Sequence, residues 1–259
     1  PHTDHIGSAA ALVEAYPMDC IVMPNAVSTS KTFEKLIAVI EQSDARIVEG
    51  KAGKQLTLGA LTIDLLAPCR DYDDLNNMSV VALLTYGDGT FLFTGDAEAL
   101  SETDMLENGV PACDILKVGH HGSDTSTSIR FLGEVMPQYA VISCGKDNKY
   151  GHPTEQTLSR LRQAGVTVYR TDLQGDIICE SDGTQVTFRT ARNSGATLPP
   201  DMTNATAPTE YAFVGNINSK IYHKLTCSSV PSEQNSVWFL TTEQAESAGY
   251  SPCKRCLGK

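Results

Sequence analysis

Histidine placement constrains this chain more than any other feature. The sequence has only six histidines in 259 residues: His2, His5, His120, His121, His152 and His223. Each lies in a segment with other metal-ligand or turn-forming residues. A single histidine is ordinarily a surface or hydrogen-bonded core residue. Six placed this way point instead to imidazoles gathered around cations, and neutral imidazole combined with carboxylate suits Zn, Mn or Fe.

The first cluster is Pro1-His2-Thr3-Asp4-His5-Ile6-Gly7. The short spacing puts His2 and the Asp4-His5 pair on one tight turn. Two metals can share such a loop, His2 on one and Asp4 with His5 on the other. The second cluster, Phe93-Thr94-Gly95-Asp96-Ala97-Glu98, places a carboxylate at the end of an apolar strand. Asp96 there can reach a site at the sheet edge, or simply cap the following helix. The third, Lys117-Val118-Gly119-His120-His121-Gly122-Ser123, again follows a strand. In the fourth, Asn148-Lys149-Tyr150-Gly151-His152-Pro153, His152 sits on a loop before a helix. It can contact a phosphate, act as a general acid, or only stabilise the loop.

Between these clusters the pattern alternates strand-like and helix-like segments. Strands are expected at 20–23, 61–66, 80–85, 91–94, 115–118, 140–143, 166–169 and 185–189. Helices are expected at 32–41, 98–108 and 154–164, the last with Thr154 as N-cap and Gly165 as its stop. Residues 80–94, broken at Tyr86-Gly87-Asp88-Gly89, read as a hairpin. This is an α/β chain, and residues 1–190 form one domain. Residues 191–209 are Ser-, Thr-, Asn- and Pro-rich and read as a linker.

Residues 210–259 are too few for a self-sufficient apolar core, so a staple is required. His223, Cys227, Cys253 and Cys256 supply it: H-x3-C followed by C-x2-C closes a Cys3His shell typical of structural zinc, the alternative being a disulfide between two of these cysteines. Trp238 and Phe239 read as its mini-core. The other five cysteines, Cys20, Cys69, Cys113, Cys144 and Cys179, lie in apolar stretches and read as free buried thiols.

Net charge is −11, which excludes nucleic-acid binding through a general basic field. Residues 210–259 carry five Lys/Arg against four Asp/Glu, and the remainder 15 against 27. An anionic substrate must therefore be held by local cations. Apolar runs are far too short to span a bilayer, so no integral membrane segment is expected.

The motifs together resemble the metallo-β-lactamase superfamily, in particular the ComEC-like competence proteins and their soluble relatives. The matching runs are P-H-T-D-H-I-G, D-L-N-N-M-S-V-V, F-T-G-D-A-E, L-K-V-G-H-H-G-S, S-C-G-K-D-N-K-Y-G-H-P and R-T-D-x-x-G (170–175), in that order. The segment 218–256 resembles an Ada-type zinc module. The resemblance implies a four-layer αββα fold whose N-terminal strands, and the first His of the H-x-H-x-D-H motif, precede Pro1. It implies two divalent metals, Zn or Mn, with His2, Asp4, His5, Asp96 and His121 as ligands and Asp96 as the bridge. It implies phosphodiester hydrolysis by a metal-activated hydroxide, with Asp4, Asp96 and His152 catalytic. His120, Ser123, Lys117 and Asn77 would face the substrate, with Ser126 a further candidate. Many dinuclear relatives have a histidine where Asn76 or Asn77 stands, and an amide oxygen holds a metal less tightly. DNA is the expected substrate. A small-molecule phosphodiesterase of phosphocholine-esterase type, or a non-catalytic metal-stapled protein binding DNA or cell wall, are the rival readings. An extracellular or cell-surface location is expected.

Overall fold

The computed structural model describes residues 1–193, 212–216, 218–231, 236–239, 241–247 and 249–258. Two short helices, α1 (Thr3–Ile6) and α2 (Ala9–Ala15), precede β1 (Cys20–Met23), which pairs in parallel with β2 (Arg46–Glu49). Between these strands α3 (Lys31–Glu41) is capped by Ser30, whose hydroxyl accepts from the Phe33 N–H at 3.2 Å. Phe33, Leu36 and Ile40 recur at helical spacing and bury one face of α3.

The main sheet has seven strands side by side in chain order. They are β3 (Gln55–Leu58), β4 (Leu61–Ala67), β5 (Val81–Tyr86), β6 (Gly89–Phe93), β7 (Ile115–Lys117), β8 (Tyr139–Ile142) and β9 (Thr167–Arg170). Pairing is antiparallel from β3 to β6 and parallel from β6 to β9. Parallel neighbours need crossovers, supplied here by α4 (Ala99–Glu107), α5 (Ile129–Val135) and α6 (Glu155–Gln163). Leu92, Leu116, Val118, Phe131, Val135, Ala140, Ile142, Leu161, Val166 and Val168 form the sealed core where these helices meet the sheet.

After β9 come α7 (Thr171–Gln174) and the hairpin of β10 (Ile177–Ser181) and β11 (Val186–Thr190). The Phe188 ring of β11 stacks on Tyr169 at 4.4 Å and lies 5.0 Å from Tyr139. The β5–β6 hairpin turns through Gly87 and Asp88. Gly87 has φ +59°, and a side chain there would strike the Gly183 backbone.

The C-terminal unit is a four-stranded sheet in the order β14 (Ser236–Phe239), β12 (Phe213–Asn216), β13 (Ile221–Lys224), β15 (Ser251–Pro252), with α8 (Thr242–Ser247) and α9 (Lys254–Leu257). Tyr222, Phe239, Ala245 and Tyr250 make its small core. The expected linker lies, from residue 194 onward, outside the described residues, as does the Trp238 side chain. No helix among the described residues is long and apolar enough to cross a membrane.

The expected strands and helices are all present within one or two residues. The sequence reading did not name α2, β2, β3, α5 or β10. These are short, and β2 and β3 are largely exposed, so burial imposes little period on their residues.

Candidate metal centre

The parallel run decides where functional side chains meet. Strands β6, β7, β8 and β9 all end at the same edge, and in such sheets ligands bind beyond the carboxyl ends. Asp96 follows β6, His120 and His121 follow β7, the 143–152 loop follows β8, and Thr171 follows β9. Helix α1 brings Asp4 and His5 to the same place.

One donor atom from each of Asp4, His5, Asp96 and His121 lies within 4.8 Å of the others. His5 Nε2 is 2.8 Å from Asp96 Oδ2 and 3.8 Å from Asp4 Oδ2. His121 Nε2 is 3.2 Å from Asp4 Oδ2 and 3.5 Å from Asp96 Oδ1. His121 Nε2 and Asp96 Oδ1 are both buried with no hydrogen-bond partner. Two inward lone pairs without donors, in a mixed imidazole–carboxylate set, fit a divalent cation. Asp96 is therefore no helix cap: Glu98 occupies the N-cap of α4.

The electrostatics agree. Hydrogen bonding to Asp96 raises the His5 pKa against its burial. Burial pushes the Asp96 carboxyl up, but the His5 hydrogen bond and the charges of His5, His121 and His120 override it, leaving it below the usual range. Burial lowers the Lys117 ammonium, opposed by Asp96.

Around this set, His120 Nδ1 lies 3.2 Å from Glu98 Oε1, and its Nε2 is 3.9 Å from Asp96 Oδ2. Glu98 raises the His120 pKa. The His152 ring is 5.8 Å from that of His120, and its buried Nδ1 has no hydrogen-bond partner. Burial lowers the His152 pKa.

The loop carrying both histidines is strained and clasped. His120, His121 and Thr127 have φ of +48°, +55° and +55°, a region costly for side-chain-bearing residues. Buried Glu102 accepts from the Thr127 and Ser128 N–H groups. Buried Arg160 donates through Nη1 to the carbonyls of Asp124 and Ser126, both at 3.0 Å. Two buried charges thus hold the loop from its donor and acceptor sides. Ser128 caps α5. Gly122 packs so closely on Pro153 that a Cβ would collide.

Several sequence expectations need correction. His2 is exposed and does not join the gathered set; it sits at the N-cap of α1, where its carbonyl accepts from the His5 and Ile6 N–H groups. Asn77 does not face substrate: it is buried and its Oδ1 accepts from the Glu98 and Ser101 N–H groups at the start of α4. Ser123 is buried, its hydroxyl 3.0 Å from that of Thr125. The buried Ser126 hydroxyl donates to the Ala97 carbonyl at 2.7 Å. Lys117 donates to the Val118 carbonyl rather than outward. Of the five scattered cysteines only Cys113 is fully buried. Burial lifts its thiol to about 12 and those of Cys144 and Cys179 to about 11, so they are poor nucleophiles.

Sequence reasoning gave no role to Glu98, Glu102, Thr125, Asn148, Arg160 or Thr171. Glu98, Asn148 and Thr171 stand inside quoted motifs, so a signal existed. Glu102 and Arg160 lie on helices and gave none.

In the C-terminal unit, donors of His223, Cys227, Cys253 and Cys256 also lie within 4.8 Å of one another. His223 Nδ1 is buried without a partner. The Cys256 N–H, foremost among several hydrogen bonds, lowers the Cys253 pKa. A three-sulfur, one-nitrogen set fits tetrahedral zinc.

Residues 1–146 match the family model described as Metallo-beta-lactamase superfamily, and residues 202–258 match Metal binding domain of Ada. The chain is 34% identical over 177 residues to ComE operon protein 3 of Bacillus subtilis (strain 168), covering 67% of this chain and 23% of that one. It is 41% identical over 108 residues to Competence protein ComA of Neisseria gonorrhoeae, covering 41% and 16%. It is 30% identical over 175 residues to Recombination protein 2 of Haemophilus influenzae, covering 67% and 20%. The chain thus spans less than a quarter of the length of these relatives. Among solved structures, CmlA, a diiron beta-hydroxylase from Streptomyces venezuelae, aligns with TM-score 0.47 at 13% identity, covering 65% of this chain and 42% of that one. The metallo-beta-lactamase fold protein YhfI from Bacillus subtilis aligns with TM-score 0.41 at 12% identity, covering 73% and 74%. The chain belongs to the metallo-beta-lactamase superfamily, as a ComEC-like member that carries an Ada-type metal-binding domain over residues 202–258.

Proposed function

We propose that this member of a hydrolase superfamily cleaves phosphodiester bonds, with DNA as substrate. Residues 1–190 form the catalytic unit, and residues 210–259 form a zinc-stapled unit beside it. The observation that carries this is the meeting of Asp4, His5, Asp96 and His121 with two buried, unpartnered acceptor atoms among them. Competence proteins among the relatives support a DNA-related substrate.

Asp4, His5, Asp96 and His121 would hold divalent Zn or Mn. Bound cations of this kind supply an acidified water and positive charge against phosphate oxygens. The protein's own residues would do the rest. Glu98 orients His120 toward the site. His152 stands next to His120, placed to exchange a proton with the leaving oxygen. Lys117, turned onto the Val118 carbonyl, acts on Asp96 only through its charge and makes no contact with substrate. A location at or outside the cell surface accords with this reading, and fractionation of producing cells tests it.

Activity against bis-p-nitrophenyl phosphate and plasmid DNA, with Mn²⁺ or Zn²⁺ added, tests the proposal. Turnover that Asp96→Ala abolishes supports it. No turnover with either metal overturns it and leaves a metal-stapled binding protein.

A further inference from the structure

A row of rings leads away from the metal centre. The His120 and His121 centroids are 6.3 Å apart, and His120 and His152 are 5.8 Å apart. His152 in turn lies 5.8 Å from Tyr150 with the two planes inclined by only 17°. Tyr150 ends the row and is 69% exposed. A single exposed aromatic is unremarkable on a protein surface. One stacked cofacially on a ring beside a candidate centre is a different arrangement.

The loop bearing Tyr150 is built to hold still. Asn148 Oδ1 accepts from the Tyr150 and His152 N–H groups, and its Nδ2 donates to the carbonyls of Gly145 and His152. One side chain therefore fixes the backbone that carries both rings. The loop is also a local exception in charge. Lys146 and Lys149 stand against Asp147 alone in residues 145–152, within an otherwise strongly acidic chain. Lys149 Nζ lies 5.0 Å from the Tyr150 ring centroid.

We propose that Tyr150 is a stacking platform for a base of single-stranded DNA, with Lys149 at its phosphate, and that it sets the substrate class. This rests on the phosphodiesterase reading of the adjacent site and deepens it. An acidic protein gains no affinity for a strand from its general field. It needs contacts that every base offers, and each base has a face that stacks on an aromatic ring. Those faces are covered inside a duplex and open in a single strand.

The test uses the full chain carrying Asp96→Asn, which prevents turnover. Binding of two fluorescein-labelled strands is read by anisotropy: an oligodeoxythymidylate, and a strand of equal length made of abasic sites. The base-bearing strand should bind more tightly. Tyr150→Ala should weaken it by roughly tenfold and leave the abasic strand unchanged, while Tyr150→Phe should bind as the parent does. Equal binding of the two strands, or equal losses on both with Tyr150→Ala, overturns the proposal. Hydrolysis of bis-p-nitrophenyl phosphate by the unsubstituted protein is scored separately. A Tyr150-dependent preference for bases without hydrolysis would sink the enzymatic reading and leave the platform standing.

Discussion

His121 Nδ1 lies 2.8 Å from the carbonyl oxygen of Ser143. A carbonyl can only accept, so Nδ1 carries the proton and Nε2 is left as a lone pair facing Asp4 and Asp96. The Ser143 carbonyl is steadied in turn. Thr171 Oγ1 accepts from the Cys144 N–H at 2.9 Å and lies 2.9 Å from the Cys144 carbonyl. The R-T-D run thereby acts on the metal centre through the backbone after β8.

Thr171→Val should accordingly weaken metal binding at the hydrolase site by a few-fold, less than the roughly 10- to 100-fold seen when a ligand's direct hydrogen-bond partner is removed, because Thr171 acts through the backbone. Thr171→Ser should restore it. Competition titration of metal-free protein against a chelator checks this, with zinc in the C-terminal unit as the internal control.

In metal-free protein the His5 pKa should lie above 6.5, and Asp96→Asn should bring it down. Hydrogen bonding to Asp96 is the first cause of the rise. A raised pKa means the folded state binds the proton more tightly. Its contribution to stability is complete below the unfolded value and is lost as pH rises through the folded value. Thermal midpoints of the metal-free protein from pH 6 upward should fall more steeply than those of Asp96→Asn. A saturating divalent metal should remove the fall in the parent protein, because binding requires the neutral ring. NMR titration of His5 gives the pKa directly.

Removing one member of the loop clasp should cost far more than a surface change. Arg160→Met leaves buried Glu102 without its nearby cation and frees the carbonyls of Asp124 and Ser126. A loss of about 1–3 kcal/mol for each buried carbonyl left without its donor is expected. Denaturant unfolding measures it, and Arg162→Met, at an exposed ion pair, is the contrast at no more than about 1 kcal/mol.

Cys253→Ser should release zinc from the C-terminal unit and unfold it. Among the described residues its core is four side chains with two partial supporters, whereas a structural zinc site contributes on the order of 10 kcal/mol or more to folding. Limited proteolysis should then cut within residues 212–258 while residues 1–190 stay protected.

His2→Ala should leave metal content at the hydrolase site unchanged, since His2 stands apart from the gathered donors. Elemental analysis alongside His5→Ala, which should lose metal, decides this.

The sequence by itself determined the α/β class, the strands carrying the site and the hairpin at Gly87, and it named, with His2 in excess, the residues whose donors gather in two clusters. It could do so because ligand residues, turn glycines and apolar strands are local signals, written within a few residues of one another. Asp96, His121 and the Cys3His set were all legible in that way. Only the tertiary structure decided which side chains join the gathered donors and which face the protein. Asn77, Ser123 and Ser126 lie in the right segments, but their groups are consumed by backbone partners distant in sequence. Glu102 and Arg160 are ordinary helix residues until burial makes their charges hold a strained loop. Whether a polar group turns inward or outward depends on the partners folding brings to it, and those partners are not its neighbours along the chain.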